Sequence, residues 1–347
     1  MRAMAVVAYD KPLQLLDVPV PQPSQGEVLI RVLACGVCYS DVKTIRGHMP
    51  YSPTLRLPHV PGHEIVGEVV EGGPNTHLSP GQRVLVYNYW PCGRCAYCRM
   101  GRENLCIDLH GWVGFTTPGG MQEYLSVPED RLLPLPENLR PEEAAILSCA
   151  SGTGYRAVTR GRVQPGETVV VLGVGGVGLH TLQIARAAGA RVIAVDIDQR
   201  KLTKAKALGA TAAVPAQEAE AHVRDLTNGL GADAVIVTAS YEDALVHATH
   251  MVRRGGRVVG VGYTVGHPFR VPADPFVLHE IEYIGSRYVL RSELERVLRL
   301  AADGVLKPVV DSVLPLEEAN EAIERLEKGD VIGRVVLRVT TEASHDG

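Results

Sequence analysis

A glycine-rich turn constrains the fold of this chain more than any other feature of its sequence. The turn follows an apolar, strand-like run at residues 167–172 and precedes a helix-like run, and its residues are Gly173, Val174, Gly175, Gly176, Val177 and Gly178. Glycines let the backbone approach a pyrophosphate closely, and the N-terminus of the next helix offers free N–H groups to its charge. This GxGxxG pattern predicts a dinucleotide-binding turn.

Asp196 strengthens this prediction. It follows the next apolar strand-like run, where a carboxylate accepts hydrogen bonds from the adenosine ribose hydroxyls. The carboxylate also repels a 2′-phosphate, so the sequence favours NAD over NADP, and the nearby Arg200 and Lys201 weaken this preference without reversing it. The alternative is a tight strand-to-helix turn in which Asp196 caps a helix.

The pattern of apolar residues divides the chain into two kinds of sequence. Residues 1–150 are rich in proline and glycine, with short β-branched runs that are typical of an antiparallel, barrel-like β domain. From residue 151, strand-like runs alternate with helix-like runs, which predicts an α/β domain with a doubly wound parallel sheet. Its strands are predicted at 167–172, 191–195, 234–237 and 257–261, and its helices at 179–188, 199–208 and 242–251. Two amphipathic helices, at 292–302 and 316–328, and a strand at 333–339 are predicted to follow.

Charge and the length of the apolar runs argue against two classes of partner. Lys and Arg number 35 against 39 Asp and Glu, a formal net charge of −4, so the chain lacks the basic excess of nucleic-acid-binding proteins. Its apolar runs are all shorter than a membrane span, and the N-terminal residues do not resemble a signal peptide. We therefore expect no nucleic-acid or membrane partner and a cytoplasmic location.

Four closely spaced cysteines predict a metal site. The chain has seven cysteines, and Cys92, Cys95, Cys98 and Cys106 form the pattern C-x2-C-x2-C-x7-C. Four thiolates on a turn-rich loop can surround one zinc ion as a tetrahedron, which leaves no open position and so predicts a structural site. The alternative, four unligated exposed thiols, has no packing benefit and is prone to oxidation.

Other motifs are dispersed along the chain, and together they carry a family resemblance. Cys38 lies in a GxCxxD segment at 36–41, His63 in a GHE segment at 62–64, and Cys149 in a segment far along the chain. The chain also has the four-cysteine loop, the GxGxxG turn and a closing segment at 333–337. In the order and spacing of these motifs, the chain resembles a zinc-dependent alcohol dehydrogenase of the medium-chain dehydrogenase/reductase superfamily. The resemblance covers essentially the whole chain.

The resemblance implies an architecture and two zinc ions per chain. It implies a GroES-like β-barrel catalytic domain over 1–150, a Rossmann NAD-binding domain over 151–286, and a return to the catalytic domain over 287–347. It also implies that Cys38, His63 and Cys149 ligate a catalytic zinc with one open position, in addition to the structural zinc.

Further residue roles are implied by the same resemblance. Glu64 would approach the catalytic metal during ligand exchange, and Asp41 would accept the free ring N–H of His63. Ser40 would take the alcohol proton and pass it through the nicotinamide ribose. The cofactor-binding set would comprise Gly173, Gly175, Gly176, Val177, Gly178, Asp196, Lys201, Thr153 beside the nicotinamide, and Arg334 at the pyrophosphate.

One position departs from the family pattern. Many members carry a histidine at the end of the proton relay, and this chain has Lys43 there. An ammonium group is a poor proton acceptor at neutral pH unless its pKa is depressed. We therefore hypothesise that protons pass from Ser40 through the ribose to water, with Lys43 a solvated side chain.

The substrate pocket is predicted from local aromatic content. Tyr87 and Trp90 precede the four-cysteine loop, Trp112 follows it, and Met49 occupies a loop that borders the same cleft in the family. These residues favour an apolar cleft for primary or aromatic, and also secondary, alcohols, although ordinary packing explains them equally well.

Two competing functions remain open at the level of sequence. A zinc-dependent polyol or threonine dehydrogenase is the nearest rival, and a catalytically silent Rossmann binding or redox-sensing protein is the alternative from another class. The three dispersed ligand positions argue against the silent protein. By analogy we expect a homo-oligomer, a tetramer rather than a dimer, with 268–277 as the edge region through which subunits associate.

Overall fold

The computed structural model describes residues 1–340 of the 347-residue chain. In chain order its strands are β1 (Arg2–Ala5), β2 (Gln14–Asp17), β3 (Glu27–Val37), β4 (Glu64–Gly72), β5 (Arg83–Val86), β6 (Tyr89–Trp90), β7 (Gly111–Trp112), β8 (Tyr124–Pro128), β9 (Leu132–Pro134), β10 (Thr168–Leu172), β11 (Arg191–Asp196), β12 (Ala212–Pro215), β13 (Ala232–Val237), β14 (Val252–Gly260), β15 (Glu282–Gly285), β16 (Val310–Pro315) and β17 (Arg334–Arg338).

The α-helices are mostly short and connect these strands. They are α1 (Tyr39–Ile45), α2 (Ala96–Arg99), α3 (Pro141–Ala145), α4 (Gly152–Arg160), α5 (Gly176–Ala187), α6 (Gln199–Ala207), α7 (Ala219–Leu226), α8 (Ala244–Met251), α9 (Ala273–Leu278), α10 (Arg291–Ala302) and α11 (Ala319–Glu327). Among the described residues, no helix combines the length and apolar character needed to cross a membrane.

The chain folds into two compact units. The first contains Met1–Cys149, Leu290–Ala302 and the C-terminal part from Val310, and the second contains Ala150–Val289 with Asp303–Val309. The segment Asp303–Val309 therefore packs with the second unit, whereas the expected C-terminal return at 287–347 treats it as part of the first.

The first unit is built around one mostly antiparallel sheet. Its strand order is β16-β17-β3-β4-β5-β9, with β8 paired to β3 beyond this path. The pair β16 and β17 is parallel, and the other pairings are antiparallel. Long strand β3 is almost entirely buried, because its β-branched and aliphatic side chains pack on both faces. The antiparallel β domain predicted from the first 150 residues is confirmed.

The second unit is a parallel sheet flanked by helices. Its order, β12-β11-β10-β13-β14-β15, places β10 at the point where the chain changes direction across the sheet. Every residue of β10 is buried, as expected for a central strand covered on both faces. Ligands bind at such a reversal point in this fold class, so the topology places the glycine-rich turn after β10 at the expected location.

Two expectations about the second unit need correction. Helix α5 begins at Gly176, whereas the apolar pattern predicts a start at 179, because Gly176, Val177 and Gly178 already have helical geometry. The edge strands are β12 and β15, whereas the region predicted for the edge, 268–277, contributes no strand and contains most of α9. Strand β15 is short and weakly apolar, which is why its sequence does not predict a strand.

Candidate active site

Three dispersed side chains converge in the first unit. Cys38 directly follows β3, His63 directly precedes β4, and Cys149 lies in a π-helical turn at Leu147–Ser151. With Glu64, they offer ligand atoms that all lie within 4.8 Å of one another. Cys38, His63 and Glu64 are buried, and Cys149 is half-buried. The structure thus brings together the residues proposed from the sequence for a catalytic metal.

Asp41 organises this cluster from the first turn of α1. Its Oδ1 lies 2.9 Å from His63 Nδ1 and accepts the backbone N–H of Gly62 at 3.3 Å, and its Oδ2 accepts the N–H of Cys38 at 2.8 Å. Burial acts to lower the pKa of His63, but the charge and hydrogen bond of Asp41 raise it well above its ordinary value. Because Nδ1 faces Asp41, Nε2 is the ring nitrogen available to a metal ion.

Arg334 also enters the cluster, from the first residue of β17. Its Nε donates to Glu64 Oε1 at 3.1 Å, and its Nη2 donates to Cys38 Sγ at 3.3 Å. The family resemblance implies a pyrophosphate contact for Arg334, and the sequence gives no sign of this ion pair. The pair was missed because its members lie 270 residues apart.

Glu64 is a buried carboxyl group with one unsatisfied oxygen. Burial raises the pKa of Glu64 to about 7, against the opposing charge of Arg334. Its Oε2 has no hydrogen-bond partner among the described residues. A Cβ on Gly36 would lie 2.2 Å from this oxygen, so only glycine fits beside the carboxylate. An oriented imidazole, two thiols and an orphaned carboxylate oxygen fit a zinc ion with exchangeable coordination.

The pKa values of the two cysteines in the cluster are shifted in opposite directions. A hydrogen bond from the Cys149 thiol, together with the charges of Arg334 and His63, lowers the pKa of Cys38 well below its ordinary value. The same hydrogen bond and burial raise the pKa of Cys149 well above its ordinary value. Cysteine binds zinc as the thiolate, so a zinc ion at this site would be bound with release of the thiol protons.

The four-cysteine loop forms a second cluster, in which Cys95 is the N-cap of the short helix α2 and Cys98 lies within it. Its sulfur–sulfur distances are 3.5 Å for Cys95 to Cys98, 3.9 Å for Cys95 to Cys106 and 4.0 Å for Cys92 to Cys98. Zinc–sulfur bonds of ~2.3 Å at tetrahedral angles place the sulfurs about 3.8 Å apart. The observed distances lie around this value and are far too long for disulfides, so the donor set fits a structural zinc ion.

Backbone N–H groups also point at these sulfurs. Cys92 N donates to Cys106 Sγ and Cys95 N donates to Cys92 Sγ, each at 3.3 Å. Hydrogen bonds from the backbone at Cys98 and Ile107 lower the pKa of Cys95 to about 6. The pKa of Cys92 is lowered as well, whereas burial raises the pKa values of Cys98 and Cys106. Two of the four cysteines are therefore favoured as thiolates, which are the form that binds zinc.

An aromatic cluster lies against the histidine of the buried site. The ring centroids of His63 and Phe115 are 4.5 Å apart, and those of Phe115 and Trp112 are 4.2 Å apart. Tyr89 and Tyr51 contact the edge of Trp112 at 5.7 Å and 5.8 Å. Phe115 and Tyr51 are not predicted from the sequence, although Phe115 lies only three positions after the predicted Trp112.

The other predicted pocket residues lie outside this aromatic cluster. Tyr87 and Met49 are buried, with 0% and 5% of their surface exposed. Trp90 packs against the hydrophobic core of the first unit. It follows Tyr89 directly on β6, and neighbouring strand residues point to opposite faces, so only Tyr89 faces Trp112.

Ser40 and Lys43 occupy helix α1, which starts beside Cys38. They are three positions apart and therefore lie on one face of the helix. Ser40 is half-buried. Lys43 is also half-buried, and burial lowers its pKa, so the expectation of a solvated side chain is wrong.

The dinucleotide turn in the second unit has the geometry that its glycines predict. Gly173 has a φ of +91°, and a Cβ on Gly178 would lie 2.0 Å from the carbonyl oxygen of Gly173. Asp196, at the end of β11, accepts the N–H of Val174 at 2.7 Å and the N–H of Asp198 at 3.0 Å. Of the other predicted cofactor residues, Gly175 is the N-cap of α5, and Gly176 and Val177 lie in its first turn. Lys201 lies in α6 and Thr153 in α4.

Comparisons with known proteins agree with these sites. Residues 24–137 match the family model of the alcohol dehydrogenase GroES-like domain, and residues 176–303 match that of the zinc-binding dehydrogenase. An alcohol dehydrogenase of Geobacillus stearothermophilus is 40% identical over 98% of this chain and 100% of its own length. An NAD-dependent alcohol dehydrogenase of Sulfurisphaera tokodaii is 38% identical over 97% of this chain and 99% of its own.

Solved structures give the same result. The crystal structure of the alcohol dehydrogenase from the hyperthermophilic archaeon Aeropyrum pernix matches with a TM-score of 0.91 and 31% identity, covering 98% of this chain and 100% of that one. These matches confirm the predicted GroES-like and Rossmann architecture. The chain belongs to the zinc-type alcohol dehydrogenases of the medium-chain dehydrogenase/reductase superfamily.

Proposed function

We propose that this chain catalyses reversible, zinc-dependent transfer of hydride between an alcohol and NAD, giving an aldehyde or a ketone. The observation that carries the proposal is the buried convergence of Cys38, His63 and Cys149. A protein that used zinc only for structure would have no need for this second donor set beside the four-cysteine loop. The glycine-rich turn and Asp196 supply the matching dinucleotide site in the same chain.

We assign Cys38, His63 and Cys149 to a catalytic zinc and Cys92, Cys95, Cys98 and Cys106 to a structural zinc, two ions per chain. Zinc in the first site would supply Lewis-acid chemistry that lowers the pKa of an alcohol hydroxyl. Asp41 holds the His63 ring in the orientation that this site needs. Arg334 supplies positive charge beside Glu64 and Cys38.

Proton and cofactor handling are assigned to other residues. We assign to the Ser40 hydroxyl the role of accepting the proton of the alcohol. Ser40 lies on α1, as does Asp41, which accepts the backbone N–H of Cys38. The nicotinamide is assigned to Thr153 and Val177, the pyrophosphate to the turn at Gly173–Gly178 with Arg334, and the ribose to Asp196 with Lys201. The aromatic residues beside His63 favour primary or aromatic alcohols over polar substrates, because their rings offer little hydrogen bonding.

We further propose a homotetramer in the cytoplasm. Support for subunit association comes from the unpaired edge of β15 and from Phe276, Val277 and Leu278 on the preceding α9, whose side chains are exposed. Support for the location comes from the four-thiolate loop, which needs reduced cysteines.

The test is NADH formation by purified, zinc-replete protein with short, branched, aromatic and polyhydroxy alcohols and with threonine, each against NAD and NADP. We expect turnover of primary or aromatic alcohols with NAD. A preference for polyols or threonine would support the proposed hydride transfer and contradict the proposed substrate class. Dinucleotide binding without turnover of any substrate would instead indicate a silent binding protein.

A metal count complements this assay. We expect about two zinc ions per chain, and about one in Cys149→Ser, which retains the four-cysteine loop. The variant should lose alcohol oxidation while keeping NAD binding, since Asp196 and the glycine-rich turn are unchanged. Full activity in Cys149→Ser would contradict the assignment of the catalytic metal.

A further inference from the structure

A buried histidine, His180, lies on helix α5 just after the glycine-rich turn. It is fully buried in the second unit. Its Nδ1 lies 2.6 Å from the carbonyl oxygen of Gly176, the first residue of the helix, and its Nε2 lies 3.1 Å from the backbone nitrogen of Val309. The proposed hydride transfer gives this histidine no role, although both of its ring nitrogens are engaged.

The two hydrogen bonds fix the tautomer of the His180 ring. A backbone N–H only donates, so Nε2 accepts from Val309 and carries no proton. A carbonyl oxygen only accepts, so the ring proton is on Nδ1, which donates to Gly176. Turning the ring over would place carbon atoms against both partners. The bond from Val309 therefore holds the ring in the orientation in which Nδ1 donates to Gly176.

The backbone that orients His180 is itself held on α5. Gln183 lies three positions after His180 and therefore on the same face of the helix. Its amide donates to the carbonyl of Lys307 at 3.0 Å and accepts the N–H of Lys307 at 2.9 Å. Val309 follows in the same segment, which packs with the second unit. Residues 307–309 thus form a fixed support for the His180 ring.

The bond to Gly176 acts on the N–H that comes next in the chain. The carbonyl of Gly176 and the N–H of Val177 belong to one planar peptide group. The first N–H groups of a helix have no acceptor within the helix and are the groups that bind phosphate charge. Because Gly176 has no Cβ, its backbone is less restricted than that of other residues, so the plane of this peptide group needs an outside restraint. The donor on the Gly176 carbonyl supplies that restraint.

We propose that His180 is a positioning residue for the cofactor, which holds the peptide group between Gly176 and Val177 in the orientation that binds the pyrophosphate. The inference rests on the proposed dinucleotide site at the glycine-rich turn and adds a residue that acts through Gly176. Loss of the donor to Gly176 should weaken binding of a pyrophosphate and leave binding of adenosine unchanged. A bound pyrophosphate should in turn strengthen the bond between His180 and Val309, because hydrogen bonds in a chain polarise one another.

Two substitutions separate the two bonds of the imidazole. The amide nitrogen of asparagine is as far along the side chain as Nδ1, so His180→Asn keeps the donor to Gly176 and loses the acceptor for Val309. The amide of glutamine is as far along the side chain as Nε2, so His180→Gln keeps the acceptor for Val309 and loses the donor to Gly176. Each variant loses one buried hydrogen bond, so a general loss of stability affects both.

The readout is the affinity of the full, zinc-replete chain for NADH, ADP-ribose and adenosine, measured by calorimetry. His180→Gln should bind NADH and ADP-ribose about tenfold more weakly than the wild type, which is the effect of one hydrogen bond to a charged group. Adenosine, which has no pyrophosphate, should bind to both variants within about threefold of the wild type. His180→Asn should stay within about threefold for all three ligands. In turnover, His180→Gln should raise KM for NAD and leave kcat within about threefold.

Gln183→Met is the matched control. It removes both bonds to Lys307 from the same face of α5 and leaves both partners of His180 in place. It should lower the melting temperature and leave the affinity for ADP-ribose within about threefold of the wild type. Equal losses of ADP-ribose affinity in His180→Asn and His180→Gln, or in Gln183→Met and His180→Gln, would show that binding follows stability alone and would overturn the inference. Unchanged affinity in His180→Gln would overturn it as well.

A measurement on the wild-type chain needs no substitution. ADP-ribose should slow amide hydrogen exchange at Val309 by about threefold or more relative to the amides of β12, at the edge of the same sheet, and adenosine should not. Exchange at Val309 that does not respond to ADP-ribose would overturn the inference even if the variants failed to fold. If the wild type oxidises no alcohol, the proposed function fails, and these binding measurements still decide the role of His180.

Discussion

The guanidinium of Arg334 lies 3.1 Å from the carboxylate of Glu64, and both groups are buried in the first unit. The same guanidinium donates to Cys38 Sγ. One cation therefore faces an acidic side chain and the sulfur of Cys38 at once. Neighbouring anions raise the pKa of Arg334 despite its burial, so it stays charged. Its charge balances a site that would otherwise carry buried negative charge.

Loss of Arg334 should destabilise the protein strongly. Arg334→Gln leaves Glu64 buried without its cation, and breaking a buried pair in this way costs about 3–5 kcal/mol. The free energy of unfolding, measured by denaturant titration, should fall by about this amount. Arg338→Gln is the matched control, since Arg338 ends the same strand β17 and pairs with Glu142 at the surface, where a pair is worth about 0–1 kcal/mol. Equal losses in both variants would contradict the role of the buried pair.

The four-cysteine loop should hold its own metal ion. Cys95→Ser removes one of the four sulfurs that lie 3.5–4.0 Å apart, so we expect the loss of about one zinc ion per chain and a lower melting temperature. Cys35→Ala is the control, because Cys35 is a buried free cysteine outside both clusters. Metal analysis by mass spectrometry measures the outcome, and an unchanged zinc content in Cys95→Ser would refute the site.

Cofactor choice should depend on Asp196. Asp196→Ala removes the carboxylate that repels a 2′-phosphate, so the ratio of kcat/KM for NADP to that for NAD should rise by about tenfold or more. The variant also loses the acceptor of the Val174 N–H, so activity with NAD should fall. Asp198→Asn is the control, because Asp198 caps α6 and pairs with Arg200, and should shift both cofactors alike. Comparable ratios for both variants would argue against ribose recognition by Asp196.

Lys43 should contribute little to proton release. If Ser40 passes the proton through the ribose to water, Lys43→His changes kcat near neutral pH by less than about threefold. The half-buried position of Lys43 and its lowered pKa make this a demanding test. A severalfold rise in kcat with histidine, visible in a pH–rate profile, would show that the relay extends along α1.

The parts of the molecule that sequence predicts well are those built from neighbouring residues. The glycine-rich turn, the four-cysteine loop and the alternating strands of the parallel sheet each depend on short-range spacing, and each forms as expected. The family resemblance implies that Asp41 accepts the ring N–H of His63, and the structure places Asp41 Oδ1 2.9 Å from His63 Nδ1. Spacing alone could not assemble Cys38, His63 and Cys149, because the fold brings them together from separate segments.

The features that sequence missed depend on tertiary packing. The pairing of Arg334 with Glu64 requires β17 to lie beside β3, which in turn pairs with β4. The aromatic contacts of Tyr51 and Phe115 depend on loop conformation, which has no periodic signal. Trp90 and Tyr89 have similar chemistry and adjacent positions, and only the direction of β6 decides which of them faces Trp112.

Asp233 should make the stability of the protein depend on pH in the acid range. Its Oδ1 accepts from Arg253 Nε and its Oδ2 from the backbone N–H of Thr168, each at 2.7 Å. Burial alone would raise the pKa of Asp233, but these hydrogen bonds and the charge of Arg253 lower it below its ordinary value of 3.8. The folded state therefore favours the ionised carboxylate.

The sign of the effect follows from this lowered pKa. Stabilisation by the Asp233 carboxylate is fully present above the unfolded-state pKa and is lost as the pH falls through the lower folded-state pKa. Asp233→Asn should therefore be less stable than the wild type by about 1–2 kcal/mol near neutral pH, and the difference should shrink below about pH 4. Urea titrations of both proteins at a series of pH values measure this difference, and titration of the zinc ligands cancels because both proteins share them. A gap that stayed constant into the acid range would show that the Asp233 carboxylate contributes nothing through its charge.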